Sequence, residues 1–115
     1  MNQEEFVDVI KLVVIDGSIK AVESNLIKPA GRQPQKELVE LSDWFNRLNF
    51  EDKIMVRKLI TESVETGVFG FLCVLDGVSA IEASGEKGSL VLNFEKQGVS
   101  TWLNNPDENY LHDLL

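Results

Sequence analysis

VFGFLCVLDGVSAI, residues 68–81, is the most apolar stretch of the chain, and one acid, Asp76, stands inside it. Such a run has to be taken out of water, so the remaining segments are expected to cover it. From Phe50 onward, apolar or small residues recur at Val56, Ile60, Val64, Gly67, Phe71, Leu75, Val78 and Ile81. Steps of three and four are helical rather than the alternation of a strand. Asn49 is placed to cap this helix, and Glu51 and Asp52 suit its positive end. The first half, with Lys53, Arg57, Lys58, Glu62 and Glu65, reads as amphipathic. The second half is apolar nearly all round, which predicts a central helix covered on most sides. A membrane span needs roughly 20 apolar residues, more than this run supplies.

A single rod over Phe50–Ile81 would be roughly 48 Å long at 1.5 Å per residue. A compact domain of this size has a radius of gyration near 13 Å. The sequence therefore predicts a bend or break near Thr66–Gly70, where Gly67 and Gly70 each cost about 1 kcal/mol relative to alanine. The competing reading is that Gly67, Gly70 and Gly77 are small so that another helix can approach closely.

Working outward, residues 2–23 read as a first helix capped by Asn2, with Phe6, Ile10, Val13, Val14, Gly17 and Ala21 on one face. Asn25–Gln35 carries Pro29, Gly31 and Pro34 and reads as a loop. Gln35–Asn49 is a second amphipathic helix through Leu38, Leu41, Phe45 and Leu48, with Trp44 at its margin. The very short joint to Phe50 predicts that it neighbours the long helix. Ser89–Phe94 and Val99–Asn104 read as a β-hairpin. A Gln97-Gly98 loop sets Phe94 opposite Thr101 and Leu92 opposite Leu103. A three-residue loop, Lys96–Gly98, would set Trp102 opposite Leu92 instead. The first register is preferred because it segregates the apolar residues, and a one-residue slip reverses the faces. Glu108–Leu115 reads as a last helical turn or two. The fold class is α+β: three to four helices around the central apolar helix (68–81), with a C-terminal hairpin and a short terminal helix, in a single domain (1–115). Val14-Ile15-Asp16-Gly17 echoes Val74-Leu75-Asp76-Gly77, a weak repeat of a common pattern.

The composition is that of an ordinary globular protein, 43% hydrophobic and 26% charged, but the formal net charge is -8. That balance disfavours nucleic acid and anionic membrane surfaces and permits a basic protein partner. A homodimer built from hairpin edges or exposed helix faces is a further expectation. The lone Cys73 lies in the apolar run and reads as a small buried hydrophobe. One cysteine and an acidic N-terminus without a signal pattern fit a reducing cytoplasm.

No phosphate loop, dinucleotide fingerprint, nucleophile elbow or paired-cysteine motif is present. A lone His112 cannot build a histidine-rich metal site, and it reads as a surface or rim residue. Neither a metal nor a cofactor is expected, and no catalytic residue is assigned. Acids gather in the second half, where no base stands between Lys58 and Lys87 or after Lys96. Beside them are Trp102 and Tyr110, residue types favoured at binding hot spots. Trp102, Tyr110, Asp107 and Glu108 are therefore the candidate partner-binding residues. A solvated acidic face is the plainer alternative.

Asp76 is the sharpest single position. Buried, it needs a partner, and Arg57, Trp44 or a backbone amide would serve, which makes Trp44, Arg57 and Asp76 the candidate residues of a small-molecule or enzymatic pocket. Alternatively Asp76 lies on a narrow polar stripe with Glu65, Ser79 and Ala83.

The run VFGFLCVLDGVSAIE, the hairpin after it and the ending YLHDLL resemble a family of small uncharacterised bacterial proteins, from about Pro34 onward. That resemblance implies no activity and carries over no functional residues. Size, acidity and the α+β layout are similar in general character to toxin-immunity proteins, which implies an inhibitor or immunity-type role.

Overall fold

Asn2 starts the first helix as expected: its Oδ1 accepts the Glu5 amide at 2.8 Å. In the computed structural model, which describes Met1–Leu115, the chain is then helical without a gap to Ile27. α1 spans Gln3–Val9, a π-helical segment spans Ile10–Asp16, and α2 spans Gly17–Ile27. The i→i+5 bonding of the π segment slows the rotation per residue. Val7 and Ile15, eight positions apart, can therefore both be buried. The same winding leaves Leu12 and Val13 about two-thirds exposed, so the predicted face through Val13 and Val14 does not form the core side.

α3 (Lys36–Asn46) folds back on α2 rather than lying along the next helix, contrary to the expectation from the short joint. Its Phe45 is buried, and Asn46 Nδ2 donates to the carbonyls of Ile27 at 3.2 Å and Leu26 at 3.4 Å. The end of α2 thus has its orphan acceptors satisfied by a side chain of α3. Lys53 reaches over the Phe45 ring, 5.6 Å from its centroid, tying α3 to the helix that follows.

α4 spans Phe50–Leu75 as one helix of 26 residues. Asn49 caps it, accepting the Asp52 amide at 2.8 Å. The predicted break at Thr66–Gly70 is absent, and the stop comes later. Asp76 is the C-cap, and Gly77 follows with φ +78. The Gly77 amide donates to the Val74 carbonyl at 3.1 Å, and the Val78 amide to the Cys73 carbonyl at 3.1 Å. Those two bonds form a Schellman motif, which needs a left-handed residue after the cap. Glycine adopts that conformation without a Cβ clash. The helix expected to run to Ile81 therefore ends at Leu75. Val78 and Ile81 lie beyond it, 50% and 61% exposed.

The hairpin takes the preferred register. β1 (Asn93–Lys96) pairs antiparallel with β2 (Val99–Trp102), with Phe94 opposite Thr101. Gln97 and Gly98 both have positive φ, as a two-residue turn of the primed type requires. The Leu103 amide donates to the Leu92 carbonyl at 2.8 Å and carries the pairing one step past the strands. α5 (Leu111–Leu114) closes the chain.

Val7, Leu72 and Leu111 form the core, where α1, α4 and α5 meet, with Phe6, Val68, Leu75, Leu92, Leu114 and Leu115 around them. Only the C-terminal third of α4 is enclosed in this way. The radius of gyration is 18.5 Å and the extents are 50 × 38 × 27 Å. A compact chain of this length would be nearer 13 Å. The long helix is a spar with packed elements at its ends, not a rod buried on all sides: Phe71, in the middle of the apolar run, is 62% exposed.

Candidate functional site

The C-terminal end of α4 is where polar chemistry concentrates. The Asp76 side chain is 1% exposed. Its Oδ1 accepts the Leu111 amide at 2.9 Å, and its Oδ2 accepts the His112 amide at 2.9 Å and His112 Nδ1 at 2.7 Å. Tyr110, the N-cap of α5, makes no side-chain cap of its own. Asp76 supplies that cap from a distant part of the chain, satisfying N–H groups that the helix start leaves orphaned. A carboxylate offers only acceptors, so His112 Nδ1 is the donor in this contact. His112 is also held by rings: Tyr110 stacks on it with centroids 5.3 Å apart, and Phe69 meets it edge-on at 5.4 Å.

A second buried side chain sits beside this one. Asn104 is 5% exposed. Its Oδ1 accepts the Leu92 amide and Trp102 Nε1, each at 2.8 Å, and its Nδ2 donates to the carbonyls of Leu75 at 2.6 Å and Leu90 at 2.9 Å. An amide side chain has two acceptor sites and two donors, and all are used. Asn104 thereby extends the hairpin ladder to residues 90–92 and fastens it to the last turn of α4. Gln3 completes the set from the other side: its Nε2 donates to the carbonyls of Leu103 at 2.8 Å and Asn109 at 2.7 Å.

Around these anchors lies a cleft of about 500 Å³, lined by Asp76, Trp102, Asn104 and Pro106 together with the loop after α4. Trp102 is 42% exposed although its indole N–H is tied down, and Tyr110 is 38% exposed. Asp107 and Glu108 stand exposed in the segment joining the two aromatic residues. The four residues expected to contact a partner are thus carried at one end of the fold.

Trp44, Arg57 and Asp76 are not brought together. Arg57 is exposed on the same helix as Asp76, roughly 28 Å from it at 1.5 Å per residue. It borders a separate shallow depression with Ile54, Lys58, Thr61 and Glu62. Trp44 is 44% exposed on α3. A pocket shared by these residues is excluded by the length of α4. The backbone-amide partner expected for a buried Asp76 is present, and His112 joins it. The exposed polar stripe is not where Asp76 lies.

His112 was expected at the rim and is instead a partner of Asp76, with its side chain 14% exposed. Gln3 and Asn104 carried no signal in the sequence, since an asparagine next to another asparagine and a proline reads as a turn residue. The Asp76–His112 pair does not extend to a nucleophile. His112 Nε2 faces Asp113 Oδ1 at 3.4 Å, and no hydroxyl is hydrogen-bonded to it. Both Asp76 oxygens are committed to fixed donors, so the pair acts as a clamp. No cluster of three or more His, Cys, Asp or Glu side chains is arranged to hold a metal ion. No helix is long and apolar enough to cross a membrane.

The arrangement defines an α+β protein whose C-terminal hairpin and terminal helix are pinned to the end of one long helix by buried polar side chains. Comparison with protein-family models, curated proteins and solved structures gives no match to the chain.

Proposed function

We propose that this protein is a protein-binding module that takes a basic partner at the C-terminal end of the fold and acts by occluding that partner's surface. The observation that carries the reading is the pairing of exposure with fixity at Trp102. Its ring is open to solvent while its N–H is held by the fully committed Asn104. An aromatic side chain already ordered in the free protein loses little entropy on binding. It offers a flat face to a lysine or arginine stem. Asp107 and Glu108, exposed between Trp102 and Tyr110, supply the attraction that steers a basic surface to that face. Pro106 and Trp102 border the cleft, which has room for a partner's side chain.

The test is affinity capture from cells that naturally make the protein, comparing the wild-type chain with Asp107→Lys/Glu108→Lys and with Trp102→Ala. A basic protein retained by the wild type, released by salt and lost with both variants, supports the reading. Retention indifferent to charge reversal and to salt overturns it.

A further inference from the structure

We infer that the cleft at the end of α4 is a binding site for a free α-amino acid with an apolar side chain. This goes beyond the binding of a basic partner: it assigns a small ligand to the cleft itself, whether or not a protein docks on the face outside it.

The cleft has a fixed frame. Asn104 Nδ2 donates to the carbonyls of Leu75 at 2.6 Å and Leu90 at 2.9 Å, so one buried amide draws together both ends of the loop of residues 76–89. A surface loop with its ends held close is an Ω-loop, a kind often used for function. Between those ends the main chain is uncommitted. From Ala80 to Val91 no backbone group takes part in a backbone–backbone hydrogen bond. This wall of the cleft therefore has donors and acceptors left for a guest. Trp102, held at its N–H by the same Asn104, also lines the cleft.

The lining suits a small organic molecule. Val78, Ile81, Leu90 and Trp102 are between 42% and 61% exposed, and all four border this one cavity of about 500 Å³. Ligand clefts are commonly of this size, mostly apolar, with a few polar groups that fix orientation.

Charge identifies the class of molecule. The ionisable side chains lining the cleft are Asp76, Glu82 and Lys87. Asp76 is already engaged, its two oxygens taken by the Leu111 and His112 amides and by the imidazole. Glu82 and Lys87 remain, and neither forms an ion pair. The Glu82 carboxylate lies against Gly88, where a built Cβ would stand 3.4 Å from its Oε1, so it reaches the residue next to Lys87. A free acid and a free base are thus set on one wall of an apolar cleft. A purely cationic ligand would be opposed by Lys87, and a purely anionic one by Glu82. A zwitterion satisfies both, its ammonium donating to Glu82 and its carboxylate accepting from Lys87. An α-amino acid carries these two charges on one carbon, which leaves its side chain for the apolar lining.

Calorimetric titration of the intact chain with L-leucine, L-valine and L-phenylalanine tests this, paired with Trp102 fluorescence in a Trp44→Phe background. Saturable binding that changes the Trp102 signal is expected. The tightest of the three is then compared with its analogue lacking the amine and its analogue lacking the carboxylate, each expected to bind at least about tenfold more weakly. Glu82→Gln and Lys87→Gln are each expected to weaken the amino acid about tenfold. Both side chains are exposed on the loop, so neither substitution threatens the fold. Absence of saturable binding by all three amino acids overturns the inference. So does an analogue that binds as tightly as the amino acid, or affinity unchanged in both variants. No protein partner enters these measurements and Asp107 and Glu108 are untouched, so the outcome stands apart from the partner-binding test.

Discussion

Asp76 caps a helix that begins 35 residues further along the chain: its carboxylate accepts the backbone amides of Leu111 and His112, each at 2.9 Å. The acid at the end of α4 is therefore the start signal of α5, and the two helices share one electrostatic joint. Asp76→Ala leaves two backbone donors and an imidazole N–H without their acceptor. Hydrogen bonds to a charged group contribute about 1.5–3 kcal/mol, and an orphaned buried donor costs a similar amount. The variant is expected to lose about 3 kcal/mol in urea unfolding, with amide exchange at Leu111 and His112 accelerating more than exchange in the middle of α4. Equal acceleration everywhere would mean that Asp76 does not hold α5 locally.

Asn104→Asp is expected to be more damaging than its size suggests. The substitution keeps the shape and the acceptors for Leu92 and Trp102, but it replaces the donor to the Leu75 and Leu90 carbonyls with an oxygen. Two buried acceptors would then face a third, and a charge would be added away from water. A loss of about 2–4 kcal/mol by chemical denaturation is expected. A change below about 0.5 kcal/mol, the range of an ordinary surface substitution, would show that Asn104 is not the fastener described here.

Gly70 and Gly77 are expected to respond to alanine with opposite signs. Gly70 lies within the helix, and a Cβ there meets nothing within 4 Å. Gly70→Ala should raise stability by about 1 kcal/mol through helix propensity. Gly77 sits at φ +78, where an L side chain is strained, so Gly77→Ala should lower stability by about 1–2 kcal/mol. Thermal melts of both variants under one set of conditions decide it. Shifts of the same sign would place the end of α4 elsewhere.

Gln97 is the only non-glycine residue with positive φ, at 52°. Gln97→Asn keeps an amide while choosing a side chain that tolerates the left-handed region better, and Asn-Gly is the favoured pair for this turn. A gain of about 0.5 kcal/mol is expected, since a turn substitution compatible with its backbone acts on this scale. A destabilised hairpin, read from Trp102 fluorescence during unfolding in a Trp44→Phe background, would contradict the assigned turn.

Local chemistry was legible in the sequence wherever the determinant and its effect lie within a few residues. Asn2 and Asn49 cap helices because a side chain reaches the amide three positions on. The register of the hairpin follows from the Gln97-Gly98 turn and the period of two. The α+β class and the existence of α5 came from spacing of this kind.

Termination of α4 shows the limit. Val14-Ile15-Asp16-Gly17 and Val74-Leu75-Asp76-Gly77 end in the same dipeptide, yet Gly17 continues its helix at φ -62 while Gly77 turns left-handed at φ +78. Nothing local separates them. At Gly77 the tertiary structure favours the turn, because Asp76 has α5 to cap and the Leu75 carbonyl has Asn104 to accept from. The sequence by itself determined the α+β class, the asparagine caps of two helices, the hairpin turn and where acids and aromatics gather, since those depend on neighbours along the chain. Only the tertiary structure decided that Asp76 is buried against His112, that Asn104 and Gln3 fasten the C-terminal end, and that one ridge of the most apolar helix faces outward. Those outcomes depend on which surfaces meet across long sequence separations, where a pattern of hydrophobicity states that burial is favourable without naming what covers it.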